Sequence, residues 1–209
     1  MTESLYINAS CGIAGNKLIK DGKVLFENKD LPVQEFLPAI YQHFNINYPR
    51  FYKMDNLAKL GWMTTEILLQ GSFDKTVYAP EDIGLLFCNK NSSLDTDIKY
   101  YDTVKSMASP ALFVYTLPNI VLGEICIRHQ FKGENDFFIF ENFDAAFLQR
   151  YVSGLLETNA LQACICGWVE VLGNDYKACL WLVEKKKNTP HSINFTAENI
   201  HNTYQTTHG

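Results

Sequence analysis

The sequence has no Cys-x-x-Cys pair among its six cysteines, no uncharged apolar stretch approaching membrane-spanning length, and no excess of basic residues. Each absence excludes a class of function. Zinc modules space their thiolates in close pairs, so no metal site is expected. A membrane-spanning helix needs about 20 consecutive apolar residues, which this chain does not supply, so no membrane partner is expected. The formal charge is −5, from 18 basic and 23 acidic residues. A phosphate backbone calls for clustered Lys and Arg, so no nucleic-acid partner is expected either. The single basic run, Lys185-Lys186-Lys187, follows an apolar strand pattern and reads as a solvated strand end. Residues Met1 to Ser10 lack the basic region and apolar core of a secretory leader, so the expected location is the cytoplasm.

What is present is a hydrophobic fraction of 47% with 13% aromatic residues in 209 residues, enough for one packed core. Most of the cysteines sit inside apolar runs, as buried free thiols do in a reducing compartment. Leu5 to Ala9 reads as a short strand and Gly15 to Glu27 as a small hairpin around Asp21-Gly22. A helix is expected from Val33. A second runs from Met54 to Gln70, with Asp55 as N-cap and Leu57, Leu60, Thr64, Ile67 and Leu68 on one face. Ile83 to Cys88 is a continuous apolar run, as in a strand covered on both sides.

Asp97 to Met107 reads as a short helix, and Pro118 to His129 as another after Thr116 as cap. Asp136 to Phe140 is an apolar strand. Phe143 to Thr158 carries the stripe Leu148, Tyr151, Val152, Leu155 and Leu156. Ala163 to Leu172 and Tyr176 to Glu184 flank the turn Gly173-Asn174-Asp175, so an antiparallel hairpin closes the sheet. Beyond Lys187 the chain turns polar: residues 188–209 read as a tail with a short helix from Thr196 to Tyr204, then fraying from Gln205 to Gly209. The whole is an α/β fold with a mixed sheet.

Several of these segments resemble the amino-terminal half of β-ketoacyl synthases, which have the thiolase-like fold. The resemblance is carried by Ser109-Pro110-Ala111-Leu112-Phe113, Leu117-Pro118-Asn119, Gly123 to Arg128 and Lys132-Gly133-Glu134-Asn135. Lys53-Met54-Asp55 with Leu57, Leu60 and Gly61 is similar to an earlier helix of the family, and Cys164 to Glu170 with Cys179 to Glu184 to its closing hairpin. It implies a thiolase-like half-domain over residues 1–187. The match is nearest to the truncated synthase-like domains of bacterial pigment, aryl polyene and fatty acid clusters.

A condensing enzyme of this kind needs a thiol at a helix N-terminus, where the dipole and free N–H groups favour the thiolate. The resemblance puts that position on or next to Asn142, and no cysteine lies between Cys126 and Cys164. An amide cannot carry a thioester, and Glu141 and Asp144 add charge that opposes a thiolate. The family's second-half His and Lys motifs are not found around His43, His129, His191, His201 or His208. No catalytic residue is therefore assigned, and no cofactor is expected. Asn142 itself reads as an N-cap. Cys11, at a strand end, is weighed as a nucleophile and set aside for a structural role. Cys164 and Cys166 share a strand face without implying a metal, and Gly12 with Gly15 is too common a spacing to imply phosphate binding.

The resemblance implies a catalytically deficient partner in fatty acid, polyene or polyketide-type synthesis. Its partners would be an acyl carrier protein and a full-length ketosynthase, or a second copy in a homodimer. The strand Phe137-Phe138-Ile139-Phe140 would be the interface, since four successive apolar residues call for cover on both faces. The alternatives are an acyl-transferring 3-oxoacyl synthase completed by another chain, and a stand-alone α/β domain with an unrelated pocket.

Overall fold

The computed structural model describes residues 4–208, with side chains through 207. Three antiparallel strands come first: β1 (Tyr6–Ala14), β2 (Lys17–Lys20) and β3 (Lys23–Glu27). Their turns are tight because Gly15-Asn16 and Asp21-Gly22 all adopt positive φ, the left-handed conformation that matches strand twist in a two-residue hairpin. Helices α1 (Val33–His43) and α2 (Asn56–Leu69) lead to β4 (Ile83–Asn89). Then come α3 (Leu94–Val104), α4 (Pro110–Val114), α5 (Ile120–His129) and β5 (Asn135–Ile139). Helix α6 (Ala145–Glu157) precedes the hairpin of β6 (Ala163–Leu172) and β7 (Asp175–Glu184), and β8 (Ile193–Asn194) and α7 (Ala197–His208) finish the chain.

All eight strands form one mixed sheet in the order β3-β2-β1-β7-β6-β4-β5, with β8 alongside β1. β4 is parallel to β5 and β6; the remaining pairs are antiparallel. One face packs against α1, α2 and α5, the other against α6 and α7. This is the expected mixed α/β sheet with its closing hairpin.

Helix α2 differs from its sequence pattern. Its Asp55 cap accepts from Ala58 N at 2.8 Å as expected, but burial extends around the helix and spares only Lys59 and Glu66. Thr64 and Thr65 survive there because each hydroxyl donates to a carbonyl one turn back, Leu60 O and Gly61 O, both at 2.8 Å. At its far end Lys20 donates to Ile67 O and Gln70 O, placing a cation where the helix dipole is negative.

Other boundaries moved for identifiable reasons. β1 continues through Ser10, Cys11 and Gly12, because β2 and β7 both pair with it there. α3 starts at Leu94, earlier than Asp97. α5 starts after Asn119 rather than Thr116, because Ser109 caps the separate short helix α4, which ends at Tyr115. α7 is helical through His208, where fraying was expected from Gln205; Gly209 lies outside the described residues. The polar 188–209 segment folds back onto the body: β8 pairs with Tyr6 and Ile7, while Phe195, Ile200 and Tyr204 enter the core. Gly12 permits this, since a Cβ there would fall 2.1 Å from Thr207 Cγ2.

Candidate functional site

Parallel strands β4, β5 and β6 direct their carboxyl ends to one rim of the sheet, where α/β folds place their sites. The loop after β4 is fixed there by Glu170 of β6, which is 5% exposed. It accepts from Lys90 N at 2.6 Å, Asn91 N at 3.3 Å and Asn91 Nδ2 at 3.0 Å. Asn89, fully buried, donates through Nδ2 to Ser92 O and accepts from Ser92 N, closing the same loop. Phe140 N donates to Asn89 O at 2.9 Å, so the segment leaving β5 is tied to that loop.

Helix α6 begins here, and its N-terminus is the position where the sequence placed a missing nucleophile. Asn142 is exposed in the approach to the helix. It is not the cap: Asp144 holds that position, accepting from Phe147 N at 2.8 Å. The carboxylate is favoured over the amide because it also complements the positive end of the helix. Between them Phe143 turns inward. Its ring stacks on Tyr204 of α7 at 3.9 Å between centroids and meets Trp168 edge-on at 6.0 Å and Trp181 at 5.9 Å. The helix tip is thus sealed from below by aromatic rings from β6, β7 and α7.

Cys88, at the end of β4, is the thiol that feels Asp144. It is 1% exposed, and burial, followed by the Asp144 charge, pushes its thiol up to about 12. Cys179 is pushed up to about 12 by burial, although its Sγ contacts Thr207 Oγ1 at 3.7 Å. Cys11 is 1% exposed and raised further by burial, consistent with a structural role. Cys164 and Cys166 do share a face, with Cys88 and Cys179 on the same side of the sheet. Among the described residues no group of three or more His, Cys, Asp or Glu side chains comes together as a metal site.

The histidines lie elsewhere. The His43 ring lies tilted against Phe26 at 5.0 Å, His129 sits 2.7 Å from Glu66 on the α2–α5 side, and His191 and His201 are exposed. Gly12 and Gly15 serve close packing and a turn.

Among the described residues, strand β5 pairs with β4 on one side only. The four apolar residues are less open than their run implied. Phe137 packs toward the α2–α5 core, and Phe138 meets Phe147 at 5.0 Å and Tyr151 at 5.2 Å, with Phe140 against Phe147 at 4.7 Å. Ile139 is 46% exposed. Sequence reasoning did not single out a second apolar surface. It comprises Ile98, Tyr101 and Val104 on α3, Met107 in the following loop, and Phe113 and Val114 on α4, all exposed. The i, i+3 spacing of Ile98, Tyr101 and Val104 was the available signal.

The fold is that of ketosynthases and chain length factors. The chain superposes on the ishigamide ketosynthase/chain length factor with a TM-score of 0.64 and 14% identity over 90% of this chain and 63% of that one. It matches a structure of a type II polyketide synthase acyl-carrier protein in complex with its ketosynthase at TM-score 0.59 and 14% identity, covering 88% of this chain and 63% of that one. It matches the ketosynthase in complex with its chain length factor from Xenorhabdus doucetiae at TM-score 0.55 and 11% identity, covering 88% of this chain and 80% of that one. The chain therefore spans less than two thirds of the first two. No family model matches the sequence, and none of the curated proteins matches it. Among the described residues no helix is long and apolar enough to cross a membrane.

Proposed function

We propose that this chain is a non-catalytic, ketosynthase-like subunit that associates with a ketosynthase, in the manner of a chain length factor, in polyketide or polyene-type synthesis. The observation that carries the proposal is the tip of α6. The residue in the nucleophile's position is an exposed amide, the next is a phenylalanine stacked on Tyr204, and the next is a carboxylate cap. A thioester needs sulfur, a reachable thiolate and a donor-lined pocket for the carbonyl oxygen. Cys88, the thiol near the tip, is buried, and its surroundings disfavour the anion.

The open edge of β5 supports the pairing half of the proposal. An unpaired strand edge presents free N–H and C=O groups to another chain. Phe137 packs toward one core and Phe138 and Phe140 toward the other, and Ile139 is left 46% exposed on this strand. The exposed apolar surface of α3 and α4 offers further area of the kind that marks protein contacts. Two of the similar structures are, by their descriptions, a ketosynthase with its chain length factor and a ketosynthase with its carrier protein. The same partners are proposed for this chain, with a homodimer as the competing assembly.

The test is sedimentation velocity of the purified chain alone, with a full-length ketosynthase encoded beside it, and with the corresponding acyl carrier protein. A 1:1 complex with the ketosynthase is expected. A chain that stays monomeric in all three mixtures would overturn the proposal.

A further inference from the structure

A groove of about 920 Å³ lies on the α7 side of the β1–β3 meander, away from the rim that carries Asn142. Its floor is sheet: Ser10, Gly12 and Ala14 on β1, with Ile19 and Val24 beyond. One wall is the polar face of α7, Thr203, Thr206 and Thr207; the end is closed by His191 and Ile193. The volume is of the size that encloses a small molecule, about 300–1,000 Å³.

Two features give the groove a chemical preference. The first is apolar surface left open within it: Val24 is 53% exposed, Leu25 39% and Ile193 41%. The second is cationic. In a chain of net charge −5, Lys17, Lys20 and Lys23 all line this groove. Lys20 is spent on the α2 carbonyls, and Lys23, paired with it across β2 and β3, shares that face; Lys17, on the groove face with Ile19, has no ion-pair partner among the described residues. The acid in the lining, Asp21, is engaged by Ser10 N at 2.8 Å. An apolar floor and an unneutralised ammonium group select one kind of small ligand.

We propose that the groove binds a linear amphipathic anion, with its aliphatic chain on Ile19, Val24 and Ile193 and its carboxylate or phosphate head at Lys17. The proposal is independent of the reading of α6 and β5, since it shares no residue with either.

The test is calorimetric titration of the full chain with dodecanoate, dodecyl phosphate and uncharged dodecanol below their aggregation concentrations. Both anions are expected to saturate at one site and to bind at least tenfold more tightly than the alcohol. A tenfold preference for phosphate would mark a phosphate-headed ligand, and the reverse a free acid. Lys17→Gln should remove the advantage of the anions while leaving the alcohol unchanged. Thr206→Trp, at an exposed position of α7 that does not threaten folding, should block all three ligands. Absence of saturable anion binding, equal binding of alcohol and anions, or binding untouched by Thr206→Trp would each overturn the proposal.

Discussion

The ring of Phe143 lies face to face with that of Tyr204, 3.9 Å between centroids and 11° between planes, joining the tip of α6 to α7. That contact fills the space beneath the position where a condensing enzyme would hold its thiol. Tyr204 is 8% exposed, so truncation leaves a cavity in the core on this face. Tyr204→Ala should destabilise the chain by about 3–5 kcal/mol and Phe143→Ala by somewhat less. In urea denaturation the double variant should reveal a coupling of about 0.5–1.5 kcal/mol between the rings. Strict additivity would mean that the stack is incidental.

The buried thiols make stability depend on pH in a definite direction. Cys88 and Cys179 have an ordinary value of 9.0 and are pushed up to about 12 in the folded chain by burial. A thiol whose folded value is raised favours the folded state fully below the unfolded value. That contribution is lost as pH rises toward the folded value. The thiol contribution to stability should therefore be constant below about pH 8 and fall between pH 9 and 12, by about 1.4 kcal/mol per pH unit for each thiol. Guanidinium midpoints across this window, compared with those of Cys88→Ser and Cys179→Ala, provide the check.

Glu184 is 1% exposed and accepts from Asn8 Nδ2 at 2.6 Å, Asn188 Nδ2 at 2.7 Å and Tyr78 OH at 2.5 Å. It thereby fastens the 185–192 loop to β1, with no ion-pair partner among the described residues. Glu184→Ala removes the acceptor of one buried donor, Asn8, and of the partly buried Tyr78 and exposed Asn188, and should cost about 1–3 kcal/mol. Amide exchange should accelerate first in residues 186–194. Uniform acceleration over the whole chain would argue against a local clasp.

Ile139 is exposed on the edge strand β5 and belongs to neither core. Ile139→Lys should leave the melting temperature within about 2 °C, since an exposed change away from the core costs about 0.5 kcal/mol or less. It should also weaken association with a ketosynthase at least tenfold, because edge lysines block strand addition. Sedimentation of the variant with and without the partner reads both effects. Unchanged association would move the interface to the α3–α4 surface.

The sheet was legible in the sequence because its signals are local. Ile83 to Cys88 is apolar without a break, and Asp21-Gly22 and Gly173 fix their turns. The cap of α6 was misplaced by two residues, since Asn142 and Asp144 are both good cap types and only the chain path decides between them. The burial of α2 around its circumference was hidden because Thr65, off the expected apolar face, looks polar in the sequence, yet satisfies its hydroxyl on Gly61 O. The Phe143 plug could not be foreseen, because its partner Tyr204 is 61 positions away in a segment that is polar by composition. The groove was hidden for a similar reason: its two sides, β1–β3 and α7, come from opposite ends of the chain.

The most direct test is intact-mass spectrometry of the full chain after incubation with an acyl thioester of an acyl carrier protein, beside a condensing ketosynthase as positive control. The expected result is an unchanged mass for this chain and full acylation of the control. A stoichiometric acyl adduct that maps to Cys88 or to any other of the six cysteines would contradict the non-catalytic assignment.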